Sequence, residues 1–516
     1  MTKHSKHPSD RWQDAWMAVG LFALTLLSRI PFRTQILYHW DSVNFAYAMR
    51  ELNMAKEQPQ PPGYIMYVWF CRLVDLLFSD AQTTMVWISI VASALAVVAL
   101  FYLGRSMFDR WIGLIASLLL ATSPLFWFYG EIALPHILDT LLAIVSVWWL
   151  YETMQGDYRY LYPAVVIMAV AGGARQQTII FLAPLLLFAL RRVGWKRFLI
   201  AGVLGAMICL AWFVPLITLS DGLSNYMRIM GEYNRRFQST TSVFMGGGWW
   251  GVRRNLIKLT LYTLYGWGTA LIPGVIYGIA RLWRRERPHR WERLIFLLLW
   301  IAPALIFYAI IHMGQQGLVF VFLPALLLVS GVGLRQLFAT RSRWLVAATA
   351  ALVALNVGIF CLVPEYPLGP DTQRLLTRVT LVNSDHYYQD RFRAIEENFA
   401  PESTAILAAN WHHVEYYLPE HKILPFGVVN KWEQGEGDPR GNPQEVVATP
   451  VELGLQLDGR GQAVIVVFDP HLMAFSKSPT SAHKLSLKHG GVLEYFVLMR
   501  KQTFHYGARS FEVLEN

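Results

Sequence analysis

A polytopic α-helical membrane protein of about eleven spans, closed by a small extracytoplasmic α/β domain, is what this sequence predicts. Three observations carry that prediction. Of the 516 residues, 54% are hydrophobic and only 16% are charged, whereas a soluble globular chain carries about 25% charged residues. The apolar residues gather into runs near the length a helix needs to cross a hydrocarbon core of about 30 Å. After residue 363 those runs give way to short apolar strands alternating with polar helical stretches. Disorder, a fibrous repeat and an ordinary cytosolic enzyme are excluded by composition alone.

The apolar runs are 16–30, 85–103, 111–127, 132–150, 162–172, 178–190, 198–219, 261–279, 294–311, 318–334 and 344–363. The fifth and sixth are short and read either as two spans or as a re-entrant pair. The stretch 61–78 is also apolar, but it contains Arg72 and Asp75. Both are costly at a bilayer centre, so the expectation is an amphipathic helix on the outer surface. The first run holds Arg29 and has no small-x-small site after it, which predicts a retained span, not a cleaved signal.

Basic residues set the orientation. Lys3, Lys6 and Arg11 precede the first span, Arg105 and Arg110 follow the second, and Arg191, Arg192, Lys196 and Arg197 follow the sixth. Arg281, Arg284, Arg285, Arg287, Arg290 and Arg293 follow the eighth, and Arg335, Arg341 and Arg343 the tenth. With eleven spans all fall on the side of the N-terminus, the cytoplasm by the positive-inside rule. This bias accounts for the net charge of +10, so no nucleic-acid partner is expected. Cys71, Cys209 and Cys361 lie too far apart for a disulfide framework or a zinc ribbon.

The organisation expected is a helical domain over 1–363, with outer loops at 31–84 and 220–258, and an extracytoplasmic domain over 364–516. Within the latter, 404–408, 463–468 and 492–498 read as strands and 371–399 as a polar helix. No internal repeat stands out. No phosphate-cradling GxxxxGK[ST] loop is present, which argues against ATP-driven transport.

The polar side chains that need a reason lie on the outer side. The first outer loop reads Tyr38-His39-Trp40-Asp41-Ser42, then Gln58-Pro59-Gln60-Pro61-Pro62-Gly63-Tyr64. A carboxylate at Asp41 can accept a proton from a hydroxyl or hold a metal ion. Alternatively, Asp41 or Ser42 caps a helix over 43–52. Glu131 stands at the mouth of the fourth span, with Asp139 two turns down and His136 between them. An acid within an apolar helix suggests function. The alternative is Glu131 against a helix dipole and Asp139 paired to an interior Arg or His. Arg175 sits at the outer end of the short pair, in Gly172-Gly173-Ala174-Arg175-Gln176-Gln177. Arg235, Arg236, Arg253 and Arg254 occupy the long outer loop beside Gly246-Gly247-Gly248-Trp249-Trp250. Outer arginines run against the positive-inside bias and suit a phosphate or an anionic headgroup, or simply solvent and lipid. His312 opens a short outer turn and is either a phosphate ligand or interfacial. His412 and His413 are adjacent, so their side chains diverge and make a poor metal pair.

A first span followed by the motif Tyr38-His39-Trp40-Asp41, then Pro61-Pro62-Gly63-Tyr64, an acid opening the fourth span and a closing extracytoplasmic domain together form a pattern. It resembles the GT-C glycosyltransferases of the protein O-mannosyltransferase and aminoarabinose-transferase type, in particular their bacterial relatives. The resemblance is strongest over 16–190. It implies an inner-membrane enzyme that transfers a sugar from a polyprenyl-phosphate donor to a glycan, lipid or protein acceptor on the outer face, with inversion. It also implies Asp41 as base, Glu131 orienting the acceptor or a divalent metal, and Arg175 with the loop arginines neutralising the departing phosphate. His39, Tyr64, Asp139 and His312 would line the substrate. The chain departs from the pattern at Gln60, where many relatives are basic, and at Ser42, where some carry a second acid. Three other readings compete: a lipid-carrier flippase or transporter, an O-antigen ligase or polymerase, and a non-catalytic protein whose outer domain binds a partner. The first needs polar residues through the spans and the second a large outer loop of Arg and His.

Overall fold

The structure is a computed structural model that describes residues 8–284, 291–368, 373–425, 451–452, 455, 457–459, 461–475, 482–499, 502–506 and 509–512. The chain separates into two units, Met1–Gln35 with Asn44–Leu381 and Ile36–Val43 with Val382–Asn516. Of the basic residues invoked for orientation, Lys3, Lys6, Arg285, Arg287 and Arg290 lie outside the described residues, as does the start of the 371–399 stretch.

The first unit is helical. Its helices are α1 Pro8–Arg29, α2 Trp40–Arg50 (which begins in the other unit), α3 Ile65–Phe78, α4 Ala81–Met107, α5 Arg110–Thr122, α6 Pro124–Tyr129 and α7 His136–Met154. Then come α8 Leu161–Ala174, α9 Gln176–Leu190, α10 Trp195–Thr218, α11 Leu223–Gln238, α12 Gly248–Trp267, α13 Leu271–Arg284, α14 Trp291–Ile310, α15 Leu323–Leu337 and α16 Ser342–Leu362. A two-residue ladder, β1 Pro367–Leu368 against β2 Gln373–Arg374, follows. Among the described residues seven helical segments are long and apolar enough to cross a membrane, and α5, α9 and α15 are shorter apolar helices. The protein is a multi-pass membrane protein, as the sequence predicts.

Every apolar run is largely helical: 132–150 becomes α7 only from His136, 318–334 starts as a 3-10 helix, Gln316–Val321, before α15, and two others are broken within. Run 111–127 stops at Ser123, because Pro124 has no N–H to continue α5 and instead starts α6. Run 261–279 breaks at Gly268, whose φ of +56° favours glycine. A Cβ there would also stand 2.9 Å from the Asn356 Oδ1 that accepts from the Thr269 amide. The amphipathic stretch becomes α3, with Leu73, Leu76 and Leu77 exposed. Asp80 and Asp109 cap α4 and α5.

The basic loops share one end of the bundle. Asp14 in α1 accepts from Arg110 Nε at 2.6 Å and pairs with Arg105. Arg191 and Arg192 meet Glu292 at the start of α14 at 2.8 and 2.6 Å. Arg293 donates to Tyr151 in the last turns of α7 and lies over Phe108. By connectivity the start of α7, the α8–α9 junction and the end of α14 all lie at the opposite end.

The second unit holds α17 Arg378–Asn398 (whose first turn belongs to the first unit), β3 Thr404–Ala408, α18 Trp411–Tyr417, β4 Lys422–Pro425, β5 Val451–Glu452, β6 Gln462–Val467, β7 His483–Ser486, β8 Val492–Met499, β9 Thr503–Tyr506 and β10 Arg509–Glu512. Five strands form a mixed sheet in the order β4-β3-β6-β8-β7, with β3 parallel to β4 and β6, and β8 antiparallel to its neighbours. Three more form β5-β10-β9. The small α/β domain expected from sequence is present, but it takes residues 36–43 from the first outer loop. Ile36 belongs to the apolar core that includes Tyr388, Phe392, Ile395, Ile406 and Phe468.

Candidate active site

The helical unit builds a buried polar cluster where α8 meets α9. Arg175 stands between them in extended backbone, φ −156° and ψ 108°. At 14 and 15 residues the two helices reach only about 21 and 22 Å. The junction is packed from both sides. A Cβ on Gly173 would run into Met66 of α3 and stand 2.9 Å from Trp212 of α10, so only glycine lets those side chains close over it.

Three helices supply the polar groups. Arg175 Nη1 donates to Asp139 Oδ2 of α7 at 3.4 Å, and Nη2 to the Tyr308 hydroxyl of α14 at 3.3 Å. Thr178 of α9 donates to Asp139 Oδ1 at 2.5 Å. Asp139 and Arg175 are 3% and 5% exposed, so each needs its partner to be buried at all. Tyr64, in the left-handed region at φ +41°, acts electrostatically on both Arg175 and Tyr308. Gln176 donates to Pro62 O and to Tyr226 at 3.2 Å each, tying the Pro-Pro-Gly loop to the junction. Both oxygens of Asp139 are engaged, yet Arg175 Nε is buried without a hydrogen-bond partner among the described residues. The cluster therefore offers one spare, oriented cationic donor.

Glu131 is elsewhere. It precedes α7 by five residues and does not cap it. Fully buried, it accepts from Trp127 Nε1 at 3.1 Å and faces Arg29 of α1. Arg29 donates to Ala121 O at 2.7 Å and lies 4.5 Å over the Trp127 ring. Burial favours the neutral form of the Glu131 carboxyl, while Arg29, the Trp127 N–H and Arg33 favour the carboxylate. Its backbone carbonyl accepts from both the amide and the hydroxyl of Thr34 at 3.1 and 3.0 Å. A guanidinium beside the carboxyl repels a cation, so this pocket does not fit a metal ion. Among the described residues no three His, Cys, Asp or Glu side chains form a metal-sized group.

The remaining predicted residues are dispersed. Asp41 sits inside the first turn of α2 and does not cap it, since His39 Nδ1 accepts from the Asp41 amide at 3.0 Å. His39 Nδ1 also lies 3.7 Å from Asp41 Oδ2. His312 shares a hydrogen bond of 3.0 Å with Thr241. Burial, then Lys258 and Arg254, lowers it to about 4, so it is neutral at pH 7. Arg236 pairs with Glu57 and lies over Phe237. Arg253 is exposed and rests 5.3 Å over the exposed Trp250, while Arg235 is exposed in the last turn of α11. The structure thus unites Tyr64, Asp139 and Arg175 from the predicted set, and adds Thr178, Gln176 and Tyr308. Nothing in an apolar run marks a hydroxyl such as Tyr308. Arg29 carried a signal, a lone cation in a span, that could have been matched to Glu131.

Residues 59–218 match the model of the dolichyl-phosphate-mannose-protein mannosyltransferase family. No curated protein sequence matches the chain. The fold is that of ArnT from Cupriavidus metallidurans bound to undecaprenyl phosphate, at 14% identity and a TM-score of 0.57 over 95% of this chain and 98% of that one. The apo state of the same protein gives 13% identity and a TM-score of 0.58 with the same coverage. The apo oligosaccharyltransferase of Archaeoglobus fulgidus aligns at 12% identity and a TM-score of 0.49, over 81% of this chain and 65% of that one. The matched family model is that of a mannosyltransferase and covers the part of the chain from 59 to 218, and the likeness to ArnT shows the fold.

Proposed function

We propose that this protein is an integral-membrane glycosyltransferase moving a sugar from a polyprenyl-phosphate donor to an acceptor on the extracytoplasmic face. One observation carries the reading: Arg175, buried at a helix junction, is neutralised by Asp139 yet keeps an unpartnered Nε, within the segment that matches the family model. A phosphate leaving group develops negative charge as the glycosidic C–O bond breaks, and a donor fixed in advance stabilises that charge without reorganisation. In this mechanism the acceptor oxygen attacks the anomeric carbon and the carbon–phosphate oxygen bond breaks on the opposite side. Asp41 receives the acceptor proton and Arg175 receives the departing phosphate oxygen. Tyr64 and Tyr308 line the phosphate side. The Glu131 backbone carbonyl holds the chain at Thr34, while its side chain, with Arg29 as counter-charge, is structural and does not react.

The orientation that goes with this reading puts the basic loops in the cytoplasm and the α/β unit outside, in a bacterial inner membrane. A lipid-bound donor suits that placement, because the site then needs no nucleotide sugar outside the cell.

The test is thermal unfolding of the detergent-purified protein with undecaprenyl phosphate, using undecaprenol as neutral control. Specific binding to the native state raises stability by RT ln(1 + [L]/Kd). A saturable shift with the phosphate alone, weakened in Arg175→Lys, supports the site. Arg175→Lys keeps a charge against Asp139 but loses the fork. Equal shifts with both lipids would overturn it.

A further inference from the structure

The α/β unit binds a piece of the first outer loop as one of its own elements, and that piece carries the motif residues. The Ile36 side chain is part of the domain core. The Ile36 amide donates to Asp385 Oδ1 at 3.1 Å and the Leu37 amide to the Tyr417 hydroxyl at 3.0 Å. His413 Nε2 lies 2.9 Å from Leu37 O. A carbonyl can only accept, so His413 is the Nε2–H tautomer and donates. Its ring is stacked on Tyr388, centroids 4.6 Å apart, and is 1% exposed. Three residues further on, Trp40 stacks on His412 at 4.2 Å and 18° and meets Trp411 edge-on at 5.4 Å. Asp41 is the next residue.

We infer that the α/β unit is the positioning device for Asp41, with His413 as the positioning residue that fixes the loop through the Leu37 carbonyl. The position of the chain in the fold agrees with this. Segments 409–413 and 468–469 follow the carboxyl ends of parallel strands β3 and β6, where open α/β sheets receive their ligands. Here Asp469 engages the Ala409 and Asn410 amides and Tyr387, rigidifying the turn from which Trp411, His412 and His413 project. The ligand of this turn is residues 36–41 of the same chain. An ordinary structural histidine would have no consequence for turnover. A clamp one short segment away from a base does, since a displacement of about 1 Å costs up to about a hundredfold in rate.

The inference rests on the sugar-transfer reading for its kinetic arm only. The experiment compares full-length wild type, His413→Ala, His413→Gln, Tyr417→Phe and the exposed control Lys484→Ala, by amide hydrogen exchange and by sugar transfer. In His413→Ala, residues 36–41 should exchange about tenfold faster, and turnover should fall about 10- to 100-fold with KM for the lipid donor unchanged. His413→Gln, whose amide N–H replaces the lost donor, should recover both. Tyr417→Phe, which keeps the ring and removes the acceptor of the Leu37 amide, should loosen the same peptide, and Lys484→Ala should change nothing. Unaltered exchange over 36–41 in His413→Ala overturns the inference, as does faster exchange with wild-type turnover. If wild type transfers no sugar, the functional reading has failed, and exchange alone decides whether the clamp exists.

Discussion

Two of the arginine–carboxylate couples buried in the helical unit are built to opposite ends. Arg29 and Glu131 both engage Trp127, whose ring packs with Phe32 and Phe360, and they act on each other electrostatically. In that cluster Arg29 Nε and Glu131 Oε2, a donor and an acceptor, are both left over, so what remains unsatisfied is complementary and internal. Arg175 and Asp139 are surrounded by hydroxyls instead, and both Asp139 oxygens are engaged. There Arg175 Nε is left over without a hydrogen-bond partner among the described residues. Burial and net charge are alike in the two pairs. Each pair leaves one guanidinium donor over; what separates them is that a carboxylate oxygen is left over beside Arg29 and none is left over on Asp139.

The comparison can be broken most forcefully at Glu131. Glu131→Gln leaves Arg29 buried without a counter-charge and should cost about 3–5 kcal/mol of stability. Replacing both partners, Arg29→Met with Glu131→Gln, should recover much of it. Thermal unfolding beside transfer activity per folded molecule checks this; a turnover loss with unchanged stability would make Glu131 a reacting group. Next in size is Arg175→Gln, expected to lower transfer by about 10²–10³-fold, or about 2.7–4 kcal/mol, measured with saturating donor.

A smaller effect is expected from acid. His413 is lowered to about 3 from 6.5 by burial, so below pH 6.5 the unfolded chain binds a proton that the folded domain does not. Stability is therefore complete above pH 6.5 and falls as pH drops from 6.5 toward 3, by about 2 kcal/mol at pH 5 from this residue. Unfolding of wild type and His413→Gln between pH 5 and 7 should show the shallower slope in the variant. Smallest is Arg253→Ala, exposed over Trp250, expected within about 0.5 kcal/mol of wild type in unfolding.

What was legible in the sequence was what repeats locally. Apolar runs gave the helices, Arg72 and Asp75 separated α3 from the spans, and the break in pattern near residue 363 announced the α/β unit. Asp139 and Arg175 were legible as anomalies, since charges in apolar surroundings require partners. Their pairing with each other, and with Tyr308, was not, because it depends on how α7, α9 and α14 pack. The membership of 36–43 in the second unit was also invisible: it joins residues 376 apart in sequence and leaves no periodic trace. Asp41 was visible as an acid beyond a span, while the cap that the pattern offered it belongs to His39.

That long-range docking has a consequence for biogenesis. At about 5–20 residues per second, the segment containing Ile36 and Trp40 is synthesised about 20–75 s before His413 exists. During that interval its apolar side chains have no home, and the loop must be kept from other surfaces while the rest of the membrane helices insert. A chain terminated after α16 would never resolve that state. In such a chain Ile36 and Trp40 would lack the side chains of the second unit against which they pack.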